Sequence, residues 1–541
     1  MTMSGQDVSD LKNQKPVTFH GSVTNSFVYF NPGTPGSTPD FTWAISANAT
    51  LSIYGFQLPF SFSYSATKVS YTQPFNQFGL SPKYKWITVH LGYRNITYSS
   101  YTLAGVTCLG AGIELTPGIF RMGFLWGRFA KSTSSDASSS IFTIPVLSRK
   151  GFAAKLGLGT SKNFVDLILL DFKDDSSTLK KSVNDSLTAP AANIVTGIKM
   201  HFTFAKLLTL DVEGALSMYT NDIRLAGFGQ SSSAPWIHKL AKIIPLNLST
   251  EYYTALKAAL LFKKPLYSFG LVYNRIDPNF KSMGIYYIDN DLENLTFNTT
   301  FSLFKRKFSF SGGAGLQHDN LRGNKVATST RTIWNASVSI NPVTWFGIDA
   351  SYSNFSTNQK AGRLPLVDST KTYNVNRTLS VNPRFLIIRS KHLHIIILSY
   401  NQNDYVDMNP ATSGATTRAT TAFLNYTLTF IPAQLSLTAG LSYINCTNSY
   451  STTTMEGGNA GISKSFFSNK LFCSLNESFQ HAEVAGQLGW LLNTSALFRY
   501  APFRHHSFNL QINLVNTTFA DKAATNMYNQ QKGELSYVFT F

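Results

Sequence analysis

Charge is scarce in this chain of 541 residues: Asp, Glu, Lys and Arg make up only 14%, roughly half the share of about 25% found in soluble domains. A soluble protein of this length divides into several cores joined by linkers, and no linker stands out. No run of about 18 apolar residues occurs, which excludes a transmembrane helix. Cysteine is rare. Cys108, Cys446 and Cys473 have no metal-ligand spacing and an odd count, which suits small buried or lipid-facing residues.

Catalytic patterns are missing as well: HExxH, GxSxG, CxxC and the P-loop are all absent, so no nucleophile can be paired with a base. His392 and His394 alternate and His505-His506 follows a turn, but neither pair has a third ligand that the sequence can locate. We therefore expect no metal, no cofactor and no enzymatic activity. The chain is basic, with 46 Lys and Arg against 28 Asp and Glu and a net charge of +18, which in a soluble protein would point to nucleic acid. Here the basic residues are scattered. Their longest run is Lys305-Arg306-Lys307, no RNP-like motif appears, and nucleic acid is not expected. The opening MTMSGQDV lacks the charged-then-apolar plan of a signal peptide. The expectation is a chain whose signal is absent or removed, with residues 1–15 a flexible segment ahead of one unit spanning 16–541.

What is present is Ser, Thr and Asn, with 42 Phe and 25 Tyr, arranged with a period of two. A strand alternates its side chains between faces, so GELSYVFTF at the end of the chain puts Leu535, Tyr537, Phe539 and Phe541 on one face and Glu534, Ser536, Val538 and Thr540 on the other. KLLTLDVEGALSMY, NIVTGIKMHFTF, AQLSLTAGLSY and FNLQINLVN alternate in the same way. The units run about 10 to 16 residues, enough for the roughly 9 to 11 that cross a bilayer at a tilt. On this reading Phe202, Leu210, Leu437, Leu510 and Phe539 meet lipid, while Lys199, Asp211, Gln434, Asn509 and Ser536 face inward.

The connections sort into two kinds. Tight ones fall near Tyr54–Phe56, Thr116–Gly118, Thr160–Lys162, Ala205–Lys206, Lys263–Pro265, Lys305–Lys307, Pro342–Thr344, Ile431–Ala433, Ser468–Lys470 and Ala501–Arg504. Long polar ones span 131–150, 173–191, 221–249, 359–371, 401–418 and 519–531. Short turns on one side and long loops on the other mark an outer-membrane barrel. The predicted fold is all-β: a closed antiparallel transmembrane β-barrel of about 24 strands (22–26), with short periplasmic turns, long extracellular loops and both termini periplasmic. That count leaves Trp86–Gly92 out of the wall. The surrounding stretch, 67–101, is expected to be a lumen-facing insertion.

LSIYGFQLPFSFSYS, GLSPKYKW, the LGYRN and YTLAGVT stretches, RIDPNFKSMGIYYIDNDLEN and the aromatic carboxyl end resemble large outer-membrane β-barrel proteins of Bacteroidetes. The resemblance implies an integral outer-membrane protein among lipid and lipopolysaccharide, inserted by the barrel-assembly machinery, with partner outer-membrane proteins. Tyr537, Phe539 and Phe541 are similar to the terminal signal which that machinery reads.

Charges tolerated on an inward face mark a water-filled bore. Arg121, Lys199, Asp211, Glu213 and Lys257 are expected there, with Lys83, Lys85 and Arg94 on the insertion. Arg275, Asp277, Asp289 and Asp291, in YNRIDPNFKSMGIYYIDNDLEN, are expected in a loop folded inward as a constriction. The expected function is a porin-like channel for polar solutes, narrowed by an inserted loop. The alternative is a non-catalytic component of a larger outer-membrane transport, secretion or assembly complex. The chain shows no separate amino-terminal plug of on the order of a hundred residues, which argues against a TonB-dependent receptor.

Overall fold

The computed structural model describes residues 17–33, 40–54, 56–66, 77–133, 145–178, 188–226, 247–363, 371–409, 416–520 and 525–541. The segment 1–15 and the middles of the long connections lie outside the described residues. In chain order the strands are β1 (Val17–Asn31), β2 (Asp40–Ile53), β3 (Phe56–Ser65), β4 (Gln77–Leu80), β5 (Lys83–Tyr84), β6 (Ile87–Asn95), β7 (Thr107–Leu115), β8 (Phe120–Ala130) and β9 (Ser148–Gly159). Next come β10 (Asn163–Asp175), β11 (Ala192–Phe204), β12 (Leu208–Thr220), β13 (Thr250–Lys263), β14 (Tyr267–Ile276), β15 (Leu292–Leu303), β16 (Phe308–His318), β17 (Ala327–Val343) and β18 (Phe346–Ala361). The last are β19 (Tyr373–Ile388), β20 (His392–Asp407), β21 (Thr417–Phe430), β22 (Leu435–Thr447), β23 (Thr452–Phe466), β24 (Leu471–Val484), β25 (Gln487–Tyr500), β26 (His506–Ala520) and β27 (Thr525–Thr540).

Apart from β4 and β5, each strand pairs antiparallel with its neighbours in sequence, and β1 closes on β27 from Ser22↔Thr540 to Asn31↔Gln531. The seam continues one residue further. Phe541 and Gly21 exchange backbone hydrogen bonds of 2.9 and 3.0 Å, and the Phe541 ring stacks on Phe19 at 4.4 Å. Closure satisfies the backbone groups that an open edge would leave bare in hydrocarbon. β4 and β5 both pair with β3 and with β6, so they fill one place in the wall, interrupted at Ser81-Pro82. The wall has 26 places, two more than the 24 expected and at the top of the expected range.

Part of the insertion expected at 67–101 is corrected by the same pairings, which put residues 77–95 in the wall. β6, which covers most of the omitted Trp86–Gly92, pairs with β7 from Ile87↔Leu115 to Asn95↔Thr107. Its period was hidden by its short length and by the Pro82 break ahead of it, since proline cannot donate to a ladder. Residues 67–76 lie outside the described residues.

The tight turns and the outer ends of β1 and β27 lie together at one end of the barrel, because Val17 pairs with Ile53 beside the Tyr54 turn and Phe539 pairs with His506. At the other end the connections are unequal. Residues 221–249 make a long one, whereas 448–451 and 485–486 are as short as any turn. Polar residues were read as loop where they continue strands: β20 runs to Asp407, β21 starts at Thr417, and β26 and β27 extend to Ala520 and from Thr525. Polarity there marks the edge of the apolar belt. It does not end the ladder.

One face of the wall carries the exposed large apolar residues, including Leu441 (64% exposed), Leu156 and Leu167. Aromatic pairs band this face at both ends. Phe539–Phe541, Phe301–Phe310 and Phe508–Tyr537 lie by the tight turns, and Phe27–Phe41, Trp43–Tyr64 and Phe479–Trp490 lie toward the other end. Such girdles sit at the two interfaces of a bilayer. The opposite face carries most of the hydroxyls and amides, and the ion pairs of β7–β13. Phe202 and Leu210 are cross-strand partners, as are Leu510 and Leu535, and Asn509 donates to Ser536 on the other face (3.3 Å). Gln434 is corrected: it sits in the turn before β22 with φ of 48° and lines neither face.

Candidate functional site: two inward connections and the wall beneath them

Two connections leave the wall and fold onto its polar face. The first joins β6 to β7 (residues 96–106), and the second joins β14 to β15 (residues 277–291). Both are rich in residues that water would not hold. Tyr98, Tyr101, Leu103 and Val106 of the first and Phe280 and Met283 of the second are all buried. The wall meets them with inward apolar side chains, among them Leu125, Phe129, Leu170, Phe172, Val195 and Tyr253. Burial of about 25 cal/mol per Å² of apolar surface holds the connections down.

Polar contacts set the register of the pair. Ala104 N donates to Gly284 O (2.8 Å) and Ser282 Oγ to Thr102 O (2.8 Å), which ties one connection to the other. Tyr101 Oη donates to Asn274 Oδ1 (2.6 Å), Ser100 N to Glu213 Oε2 (2.8 Å) and Met283 N to Asn193 Oδ1 (2.9 Å), which ties both to the wall. Asn193 is fully buried and passes the chain on to Ser217, which donates to Lys281 O at 2.6 Å. Two glycines allow the approach. A Cβ on Gly284 would lie 2.3 Å from Thr102 O, and one on Gly197 would lie 2.5 Å from Thr102 Cγ2. Burial, with Glu213 adding to it, pushes the Tyr101 phenol up to about 12, so it stays a neutral donor.

Toward the tight-turn end the inner wall carries ion pairs from neighbouring strands. Arg121 grips Asp166 with two bonds of 2.7 and 2.9 Å and lies over the Phe164 ring. Lys155 and His90 share Glu114 at 3.1 and 3.4 Å, Lys199 meets Glu213 at 3.0 Å, and His201 meets Asp211. Lys257 stands across from Glu213 in the ladder. Arg121, Lys199, Asp211, Glu213 and Lys257 therefore sit together on the lumen side.

Other expected residues do not. Lys85 occupies the β5–β6 turn with φ of 51°, so it is a turn residue; Lys83 shares its inner row with Gln57 and Thr88 near the same end. Arg94 is inward but belongs to the wall, donating to Ser61 at 2.9 Å. Arg275 is corrected outright. It pairs with Leu256 and Glu293 on the outward rows and forms an ion pair with Glu293 at 3.5 Å. Reading it as part of the loop missed that β14 runs to Ile276. The three acids of the loop tie it to its surroundings. Asp277 accepts from Thr254 N and Oγ1 (2.7 Å each), Asp289 accepts from Tyr287 Oη (2.5 Å), and buried Asp291 accepts from Asn320 N and Leu321 N (3.0 and 2.9 Å) and pairs with Lys325. Burial alone would raise the Asp291 carboxyl. The Lys325 ammonium and the two backbone donors outweigh it and hold the group below the ordinary carboxylate range.

Sequence reasoning missed Tyr98, Tyr101 and Leu103 as anchors, together with the Asn193–Ser217 relay. A signal was there: ITYSSYTLAGV is a connection with the apolar content of a core.

No protein-family model matches this chain, and no curated protein does. Among solved structures it is similar to the P pilus usher PapC translocation pore (11% identity, 97% of this chain and 99% of that one, TM-score 0.35). It is also similar to OccAB2 of Acinetobacter baumannii (8%, 97% and 98%, TM-score 0.34) and to the FrpB iron transporter of Neisseria meningitidis (12%, 99% and 83%, TM-score 0.38).

Proposed function

We propose that this protein is an outer-membrane channel for polar solutes whose bore is narrowed from one side by the connections 96–106 and 277–291. The observation that carries the proposal is the difference in what covers the inner wall. The inward rows of β7–β14 lie beneath the two connections. Inward residues elsewhere, such as Asn335, Ser337, Ser351, Ser353, Asn425 and Asn476, are hydroxyls and amides exposed to water. A wall that is apolar outside, hydroxyl-lined inside and filled on one flank leaves a passage along the other flank. On this reading the tight turns and both ends of the wall are periplasmic. The outward Arg128, Lys150, Arg377 and Arg418, near the far rim, then meet lipopolysaccharide, and Tyr537, Phe539 and Phe541 are read by the assembly machinery.

Single-channel recording in planar bilayers tests this. The intact protein should conduct, and replacing Thr97–Gly105 by a short Gly/Ser link should raise the current. If both proteins are demonstrably folded and electrically silent, the channel reading fails and a non-conducting component of a larger complex takes its place.

A further inference from the structure

The outward row of β24 reads Leu471, Cys473, Leu475, Glu477, Phe479, His481, Glu483. Leu475 and Phe479 are among the exposed large apolar residues, so a carboxyl stands between two lipid-facing side chains. Among the described residues, no other Asp or Glu on an outward row has apolar outward neighbours on both sides within its strand. A carboxyl on a lipid-facing row is costly unless it finds a hydrogen-bond partner. The wall supplies one bond, from Thr494 Oγ1 to Glu477 Oε1 at 3.0 Å. Oε2 has no hydrogen-bond partner among the described residues.

The surface around Glu477 is low. Its ladder partner on β23 is Ala460, which pairs in turn with Ala439 of β22, and Gly458 pairs with Phe479. On the other flank Phe479 stacks on Trp490 at 4.7 Å, which makes a ridge beside the dent. Among the described residues nothing overhangs this face, and the strands here are joined at the far end by the short 448–451 and 485–486.

We propose that the outer face of β22–β25 is a contact between two copies of this chain about a two-fold axis along the membrane normal, with the two Glu477 carboxyls hydrogen-bonded at its centre. Only an axis of that direction keeps both barrels in the same orientation across the membrane, and it places every residue opposite its own copy at its own depth. A second copy therefore brings a polar partner to the depth of Glu477 with no further condition. A carboxylic acid can both donate and accept, so one carboxyl can partner another, and the ridge of one copy meets the dent of the other.

Disulfide capture in intact outer membranes tests the contact, using Glu477→Cys in a chain whose Cys446 and Cys473 are Ala. The expected product has twice the chain mass, and Leu210→Cys, across the barrel, gives none. In detergent, Glu477→Gln should keep the dimer, since an amide also donates and accepts. Glu477→Leu should weaken it about tenfold, and Ala460→Trp should abolish it. Heat-modifiable gel mobility shows that each variant is folded. A folded wild type that is monomeric, a cross-linked product of any other mass from Glu477→Cys, or unchanged dimerisation in Glu477→Leu would each overturn the proposal.

Discussion

The arc from β6 to β14 and the arc from β15 round to β27 share a wall but differ in what lies on its inside. Every member of the buried apolar cluster falls between Ile96 and Met283, so the packed interior belongs to the first arc. There the inward rows hold Leu125, Leu170, Phe172 and Val195; in the second they hold mostly Ser, Thr and Asn. Charges on the inner rows of the second arc are few and largely paired with each other, as Arg384 is with Asp349 and Lys532 with Glu534. The comparison teaches that the wall alone does not decide whether a barrel is filled. A connection folds in where the inner rows are apolar enough to hold it, and stays out where water already satisfies the wall.

The largest effect should come from erasing the difference. Replacing Thr97–Gly105 leaves the second arc untouched and strips the first of its cover, so single-channel current should rise several-fold; an unchanged current in a folded barrel would mean that the connections do not narrow the path. A second break concerns the wall itself. Leu441→Arg, on an outward row, should cost roughly 2 to 4 kcal/mol in unfolding from bilayers. Ser442→Arg, one residue on, points into the wide second arc and should cost little. Equal costs would show the faces to be exchanged, because a slip of one residue swaps them.

Much of the wall was legible because period two survives almost everywhere, and the facing of Phe202, Leu210, Leu510 and Ser536 follows from it. The alternation failed where another rule intervened. Pro82 cut one wall place into β4 and β5, polar strand ends looked like loop, and Arg275 followed a run whose charges drew attention away from the register of β14. The interior was less legible. The charged residues of RIDPNFKSMGIYYIDNDLEN suggested a constriction, yet Phe280 and Met283 bury the connection, and its acids bind Thr254 of β13, the Tyr287 hydroxyl and the β16–β17 connection. Contacts such as Ser100 with Glu213 join residues 113 positions apart, and alternation along one strand carries no information about that separation.

A smaller perturbation tests whether close packing, and not mere presence, keeps the first arc covered. Gly284→Val places a Cβ against Thr102 O and Leu170 Cδ1, backbone on one side and a packed side chain on the other. Overpacking of this kind costs about 1 to 3 kcal/mol. The expected outcome is a channel that flickers between the narrow current of the wild type and the wide current of the Thr97–Gly105 replacement. Steady wild-type current would show that the connection has room to spare. A control on the outer face of the second arc, Gly533→Val, meets nothing within 4 Å and should be silent.

The smallest effect is electrostatic and bears on the anchor at the end of the second connection. Asp291 is 3% exposed and its carboxyl is held below its ordinary range, so its contribution follows the sign of a depressed acid. The stabilisation is fully present above the unfolded-state value of about 3.9 and is lost as the pH falls through the lower folded-state value. Current through the wild type should thus stay flat from neutral to mildly acidic pH and become noisy only on stronger acidification. Asp291→Asn removes the charge that Lys325 pairs with and weakens the bonds from Asn320 and Leu321, at about 1 kcal/mol. It should bring that noise to neutral pH and abolish the acid step. If Asp291→Asn keeps the same acid step, another carboxyl holds the connections, and Asp277 on Thr254 and Glu213 on Ser100 become the places to look.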